Sequence, residues 1–475
     1  MSFEKYLDQI VDQNIIKKIL LPDKDSFPLG DFDDYNEIPL EWTKNLSVEG
    51  FKNTYSKIDT FDQYVFIGMG GSISMARIAS YLNSSKIFFL DNFDISRINK
   101  IQEVINKKDT AVFICSKSSN TLETKILDQI LKIKTENKFY IKDGIENNKN
   151  ILNTPSNTGG RFSISTHLGI LPFYLAGFSL KKIVSNINKA NLDFISNDKE
   201  NPAIKIAGFL YSNFKQNNKE ISLSSINKND YISDWIEQLI SESTGKEESG
   251  ILPIKSIDTF YPHITFTSKQ DEFSRNFINI KIDYDESLFY KFQIFLYAIA
   301  IFCSLIKIQP FDQPNVESTK ITTKSLIENK KINFINDLNR SKKNDLVNEI
   351  KNHNGIISLL VHSTCLNYES KENLIDLVNE ISNEKKKVLI FFAPNYLHSM
   401  GQLLKGSFKN IKNIVINLHG NEDLNIPKSL YTLNTFVKYQ GYSDHLELVK
   451  NERKSLYFET EYEELKKNLN RLNND

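Results

Sequence analysis

A chain of 475 residues is too long for one small binding module; at roughly 100–200 residues per domain it calls for two or three. Its 40% apolar and 25% charged residues, with 18 Gly and 12 Pro, exclude a disordered or fibrous polymer. Lys plus Arg and Asp plus Glu both number 59, so no overall positive field draws the chain to nucleic acid.

Residues 1–21 place acidic side chains among periodic apolar ones, which predicts an amphipathic helix rather than a signal peptide. Residues 1–44 are expected to form an amino-terminal helical arm. A first set of strands follows at Tyr64–Ile67, Ile87–Leu90, Ala111–Cys115 and Phe139–Ile141, alternating with helical spacing over Ile73–Asn83, Ile98–Asn106 and Leu122–Lys134. That alternation predicts a doubly wound parallel sheet over residues 45–195.

A second set, Ile221–Ser225, Ile264–Thr267 and Ile278–Ile282, leads into a long helix over Ser287–Ile308. Its most apolar part, Ile294–Ile306, is shorter than the ~20 residues that span a bilayer, so a buried helix is expected and no membrane partner. Leu326–Asn354, rich in Lys and Asn, reads as a solvated helical connector. Strands at Ile356–Val361, Val388–Phe392 and Asn413–Leu418, with helices at Leu374–Asn383 and Met400–Lys405, complete an expected second α/β domain over 196–475. Cys115, Cys303 and Cys365 are widely spaced, which argues against a thiolate zinc site or a disulfide scaffold and fits a reducing cytoplasm.

Two loops carry chemistry. Ile67-Gly68-Met69-Gly70-Gly71-Ser72 leads a strand through a glycine turn into a helix, where free N–H groups suit an anion. It lacks the third glycine of a dinucleotide fingerprint, which disfavours NAD, and a ligand-free tight turn reads the same way. Ser116-Lys117-Ser118-Ser119-Asn120-Thr121 offers four hydroxyls and an ammonium before a helix, more than capping requires, and reads as an anion cradle. Both loops fall at carboxyl ends of strands, where open α/β sheets bind ligands.

Three further segments stand out. Gly159 and Gly160 put Arg161 on a flexible turn, as an oxyanion stabiliser or a structural ion-pair partner. Gln238-Leu239-Ile240-Ser241-Glu242-Ser243-Thr244-Gly245-Lys246 ends an amphipathic helix, with Glu242 near its carboxyl end, where the dipole disfavours a negative charge as a general base near neutral pH requires. By position alone, a solvated surface glutamate is the commoner reading. Gln309-Pro310-Phe311-Asp312-Gln313-Pro314-Asn315-Val316-Glu317-Ser318-Thr319-Lys320 is a rigid proline turn opening another helix.

GMGGS, SKSSNTLET, GGRFS, QLISESTGK and FDQPNVESTK occur in the order in which similar segments occur in glucose-6-phosphate isomerases, a family built from two sugar-isomerase (SIS) domains. The resemblance spans Gly68 to Lys320. NYLHSMGQLLKG and the carboxyl-terminal tail extend it toward the isomerase half of bifunctional transaldolase–isomerases, though with only about 45 residues ahead of the first unit no transaldolase barrel is expected.

The resemblance implies an α/β fold of two SIS-type doubly wound parallel-sheet domains with helices on both faces. It implies interconversion of glucose 6-phosphate and fructose 6-phosphate, in glycolysis and gluconeogenesis, through an enediolate, without cofactor or metal, in a cytoplasmic homodimer. Residue by residue, Gly71 and Ser72 match contacts to the sugar phosphate, and Ser116, Lys117, Ser118 and Thr121 the phosphate loop. Arg161, with Gly160, matches the arginine that steadies the enediolate. Glu242 matches the base that moves a proton between C1 and C2, and Gln238 a substrate contact. Gln313 and Lys320 match the glutamine and the ring-opening lysine. The resemblance favours His398, in LHSMGQ, over His263 as the ring-opening histidine, because the bifunctional relatives share this order. Two rival readings are a non-catalytic sugar-phosphate sensor and an isomerase for another sugar phosphate.

Overall fold

The computed structural model describes residues 2–21, 38–227, 229–255, 260–328, 346–383 and 385–474. The fold is α/β, built on parallel sheets. The chain divides into two compact units. One comprises Met1–Leu90, Val104–Thr124 and Ile133–Asp312; the other comprises Asp91–Glu103, Lys125–Lys132 and Gln313–Asp475.

The first sheet of unit 1 contains β1 (Gln63–Gly68), β2 (Ile87–Leu90), β3 (Thr110–Cys115), β4 (Lys138–Asp143) and β5 (Ile151–Thr154). They lie in the order β2-β1-β3-β4-β5, all parallel. The central strands QYVFIG and TAVFIC are buried along their whole length, the continuous apolar run that a sheet covered on both faces demands. Phe66 and Phe113 stack across them at 4.7 Å, and truncating either ring to alanine should cost about 3–5 kcal/mol. The chain steps from β1 outward to β2, then back across to β3, so the strand order reverses between β1 and β3. A crevice for ligands opens at such a point.

The second sheet of unit 1 contains β6 (Glu220–Ser224), β7 (Leu252–Lys255), β8 (His263–Thr267), β9 (Glu272–Phe273) and β10 (Phe277–Lys281), ordered β7-β6-β8-β10-β9. Only the short edge strand β9 runs antiparallel to its neighbour. The helix Leu288–Leu305 is apolar all round and is long and apolar enough, by composition, to cross a membrane. Here it is the core helix of unit 1, buried against the helices Pro202–Lys215 and Leu180–Phe194. Its one interior amide, Gln293, donates to the Trp42 carbonyl (2.8 Å) and to Asn191 Oδ1 (2.9 Å). The amino-terminal helices Phe3–Asp12 and Ile15–Leu20 pack on this same unit, and Leu7 fills the space left by Gly208.

Unit 2 holds a parallel sheet of β11 (Gly355–Ser363), β12 (Lys386–Phe392), β13 (Lys412–His419) and β14 (Lys454–Glu461), ordered β12-β11-β13-β14. Most of the connector expected over Leu326–Asn354, residues 329–345, lies outside the described residues. Its flanks are the helices Pro314–Glu328 and Leu346–Lys351.

Candidate functional site

The loops after β1 and β3 leave neighbouring strands at the point where strand order reverses in the first sheet. After β1, Gly70 adopts φ +53°, and the backbone turns once through Gly70–Ser72 before the helix Ser74–Leu82. The glycines here serve backbone packing. A Cβ on Gly68 would lie 2.6 Å from the Cys115 carbonyl oxygen of β3, and one on Gly71 would lie 2.5–2.6 Å from the Gly160–Arg161 backbone. Gly71 therefore brings the glycine turn against the segment that carries Arg161.

After β3, the Ser116 hydroxyl donates to Thr121 Oγ1 (3.2 Å), Ser119 takes a positive φ of 57°, and Ser118 stays exposed. Lys117 points into the fold. Its Nζ pairs with Asp143 at the end of β4 (2.6 Å) and donates to the Ser156 carbonyl (2.9 Å). Burial lowers the Lys117 pKa, against the pull of Asp143, and raises that of Asp143, against the pull of Lys117. The loop expected to cradle an anion thus presents hydroxyls beside a cation already paired.

Arg161 sits on a 3-10 turn over Gly160–Ser165 whose residues after Gly160 are all buried, so the flexible turn expected from the two glycines is a packed one, anchored by Phe162. Its Nε donates to Ser243 Oγ (3.0 Å), its NH1 to Glu242 Oε2 (3.2 Å), and its NH2 to the carbonyls of Pro310 (2.6 Å) and Asp312 (2.9 Å). Glu242 lies in the last turn of the helix Ile232–Thr244, 3% exposed, which sets aside the solvated-surface reading. One helical turn earlier Gln238 donates its Nε2 to the same Glu242 oxygen (3.2 Å), and Ser74 donates to Gln238 Oε1 (3.0 Å). The Glu242 carboxylate is thus buried and held in one orientation by a guanidinium and an amide, the amide in turn bonded through the Ser74 hydroxyl to the glycine turn.

Unit 2 holds Gln313, Lys320 and His398. Lys320 is half-buried on the helix Pro314–Glu328. His398 closes a 3-10 turn, Asn395–His398, and is buried. Gln402 Oε1 accepts the Asn315 N–H (3.0 Å) and Gln402 Nε2 donates to Asn315 Oδ1 (2.7 Å), which ties LHSMGQ to the start of the helix that carries Lys320. His263 opens β8 of unit 1, its ring stacked on Phe277.

Sequence reading did not single out Ser74, Ser243, Lys246, Gln309 or Asp312 as participants. Lys246 and Asp312 were visible in their motifs, but the ion pair between them was not. Among the described residues no group of three or more His, Cys, Asp or Glu side chains is placed to hold a metal ion.

No family model matches the chain. Curated glucose-6-phosphate isomerases do. That of Methanocaldococcus jannaschii is 32% identical over 225 residues, covering 43% of this chain and 55% of that protein. That of Fusobacterium nucleatum is 30% identical over 252 residues, covering 46% and 56%. The chain spans about half the length of the curated relatives it matches. The resemblance drawn from five short motifs is carried by extended sequence similarity. Among solved structures, a glucose-6-phosphate isomerase from Chlamydia trachomatis superposes with a TM-score of 0.56 at 13% identity, over 71% of this chain and 88% of that one. A hypothetical protein from Thermus thermophilus also gives 0.56, at 17% identity, over 68% and 96%. At these identities the likeness is one of fold, and the fold is the parallel-sheet α/β architecture described above.

Proposed function

We propose that this chain is an aldose–ketose isomerase that interconverts glucose 6-phosphate and fructose 6-phosphate. The observation that carries the reading is the buried pairing of Arg161 with Glu242, with Gln238 on the same carboxylate oxygen. A module that only binds a phosphosugar has no use for a buried, oriented base. In the proposed reaction Glu242 removes the C2 proton of the open-chain aldose and returns it to C1. Arg161 balances the charge that grows on the enediolate oxygens, and Ser116, Ser118, Thr121 and the glycine turn hold the phosphate. Ring opening belongs, on the resemblance, to His398 with Lys320, and Gln313 is a substrate contact. No cofactor enters this scheme. A cytoplasmic homodimer with no nucleic-acid or membrane partner, and the sequence division 1–44, 45–195 and 196–475, belong to the same proposal.

The test is a coupled assay of purified protein with fructose 6-phosphate, reading glucose 6-phosphate formed. Steady turnover is expected. Tight phosphosugar binding without turnover would favour the sensor, and turnover of mannose 6-phosphate in preference to fructose 6-phosphate would favour a different isomerase.

A further inference from the structure

Lys246 follows the helix that carries Glu242 and is 6% exposed. Its Nζ pairs with the Asp312 carboxylate and donates to the Gln309 carbonyl. The turn it grips is shaped a second time by Gln309, whose Oε1 accepts the N–H groups of Phe311 (2.6 Å) and Asp312 (2.7 Å). From that turn the carbonyls of Pro310 and Asp312 receive the Arg161 NH2 group. The arginine is thus fixed on one side by Glu242 and Ser243 and on the other by a loop that Lys246 holds.

We propose that Lys246 is a positioning residue of the isomerase site, holding the Gln309–Asp312 turn in the shape that keeps the Arg161 guanidinium against Glu242. This rests on the isomerase reading. A Lys–Asp pair with the ammonium buried and the carboxylate half-buried adds little net stability, because taking the ammonium out of water offsets the attraction. What it supplies here is a fixed geometry, and an error of about 1 Å in a catalytic group costs on the order of 10²-fold in rate.

The charged and titratable groups that bear on Lys246 are Arg161, Asp312 and Cys303. Burial, then the Arg161 charge, bring its pKa down to about 8 despite Asp312, while burial pushes the Cys303 thiol up to about 12. Lys246 therefore loses its proton well below the usual lysine range, and with it the grip on Asp312.

Full-length Lys246→Met, Lys246→Arg and Asp312→Asn are compared with wild type for kcat, KM and pH profile, and the Lys246→Met crystal structure is solved. Lys246→Met should lower kcat by about 10²-fold with KM within a few-fold. Lys246→Arg should recover most of that loss and move the alkaline limb near pH 8 upward by more than one unit. The crystal structure should show Arg161 withdrawn from Glu242. If Lys246→Met does not fold, Asp312→Asn must show the same division between kcat and KM. Full activity in a folded Lys246→Met, or an Arg161–Glu242 contact unchanged in its crystal structure, overturns the proposal. The structural measurement decides it even if wild type turns over no phosphosugar, an outcome that would sink the isomerase reading by itself.

Discussion

Gln402 and Asn315 hold each other by two hydrogen bonds, the side chain of one reading both the backbone N–H and the side-chain carbonyl of the other. Gln402 is fully buried. Its replacement by leucine keeps the volume but leaves the Asn315 groups without this partner, at about 1–3 kcal/mol for such buried polar atoms. Gln402→Leu should therefore lower the urea midpoint of unit 2 and reduce turnover. An unchanged midpoint would mean that water replaces the amide at no cost.

That link also separates the two histidines. His398 belongs to the segment fastened to the Lys320 helix, whereas the His263 ring lies flat on Phe277 in β8. His398→Asn should slow conversion of the cyclic sugar by ~10²-fold or more, the scale of a lost acid–base group, and spare C2-hydrogen exchange on an open-chain analogue. His263→Asn should leave both intact. The reverse pattern would reassign ring opening to His263.

The central strands were legible because both faces are buried, and QYVFIG and TAVFIC read as unbroken apolar runs. The strands that sequence reading passed over lie at edges. β7 carries Pro253, tolerated because an edge strand need not donate on its outer side, and β14 is half-buried along its interior. In the site, Arg161 and Glu242 were visible as residues through their motifs. Their contact was not, because 81 positions separate them and neither motif announces the other locally. Lys117 looked like a free phosphate ligand since nothing local announces Asp143, 26 positions on.

The Lys117–Asp143 pair sharpens the division of labour in the phosphate loop. With the ammonium already partnered, the proposed site leaves more of the anion contact to the hydroxyls, of which Ser116 and Thr121 share a hydrogen bond. Ser116→Ala with Thr121→Ala should raise KM by 10-fold or more, about 1.4 kcal/mol of lost uniform binding, with little change in kcat. A collapsed kcat at constant KM would remove these hydroxyls from the phosphate site.

His362 predicts an acid limb for the stability of unit 2. Its Nε2 bonds the Tyr396 hydroxyl (2.8 Å), which in turn bonds Asp444, and burial holds its pKa down at about 4 from an ordinary 6.5. The unfolded chain takes the proton first, so stability is full above about pH 6.5 and falls toward pH 4, by up to about 3 kcal/mol. His362→Gln keeps a donor to the tyrosine and cannot titrate, so its stability should vary less across this window in denaturant titrations. An equal slope in the variant would place the acid sensitivity elsewhere.

Glu242 carries the sharpest prediction, because two donors converge on its Oε2 and fix the plane of the carboxylate. Glu242→Gln keeps the size and most of the hydrogen bonding but cannot accept a proton. Turnover should fall by ~10²–10⁴-fold, the range for a positioned general base. Phosphosugar affinity should change far less, since the proposed phosphate contacts lie on separate atoms of the hydroxyl loop after β3. Exchange of the C2 hydrogen with solvent should fall in parallel with turnover, because one group performs both transfers. If the variant keeps turnover within a few-fold of wild type, with C2 exchange intact, proton transfer belongs to another residue, and the contact between Arg161 and Glu242 is an ion pair that serves the fold alone.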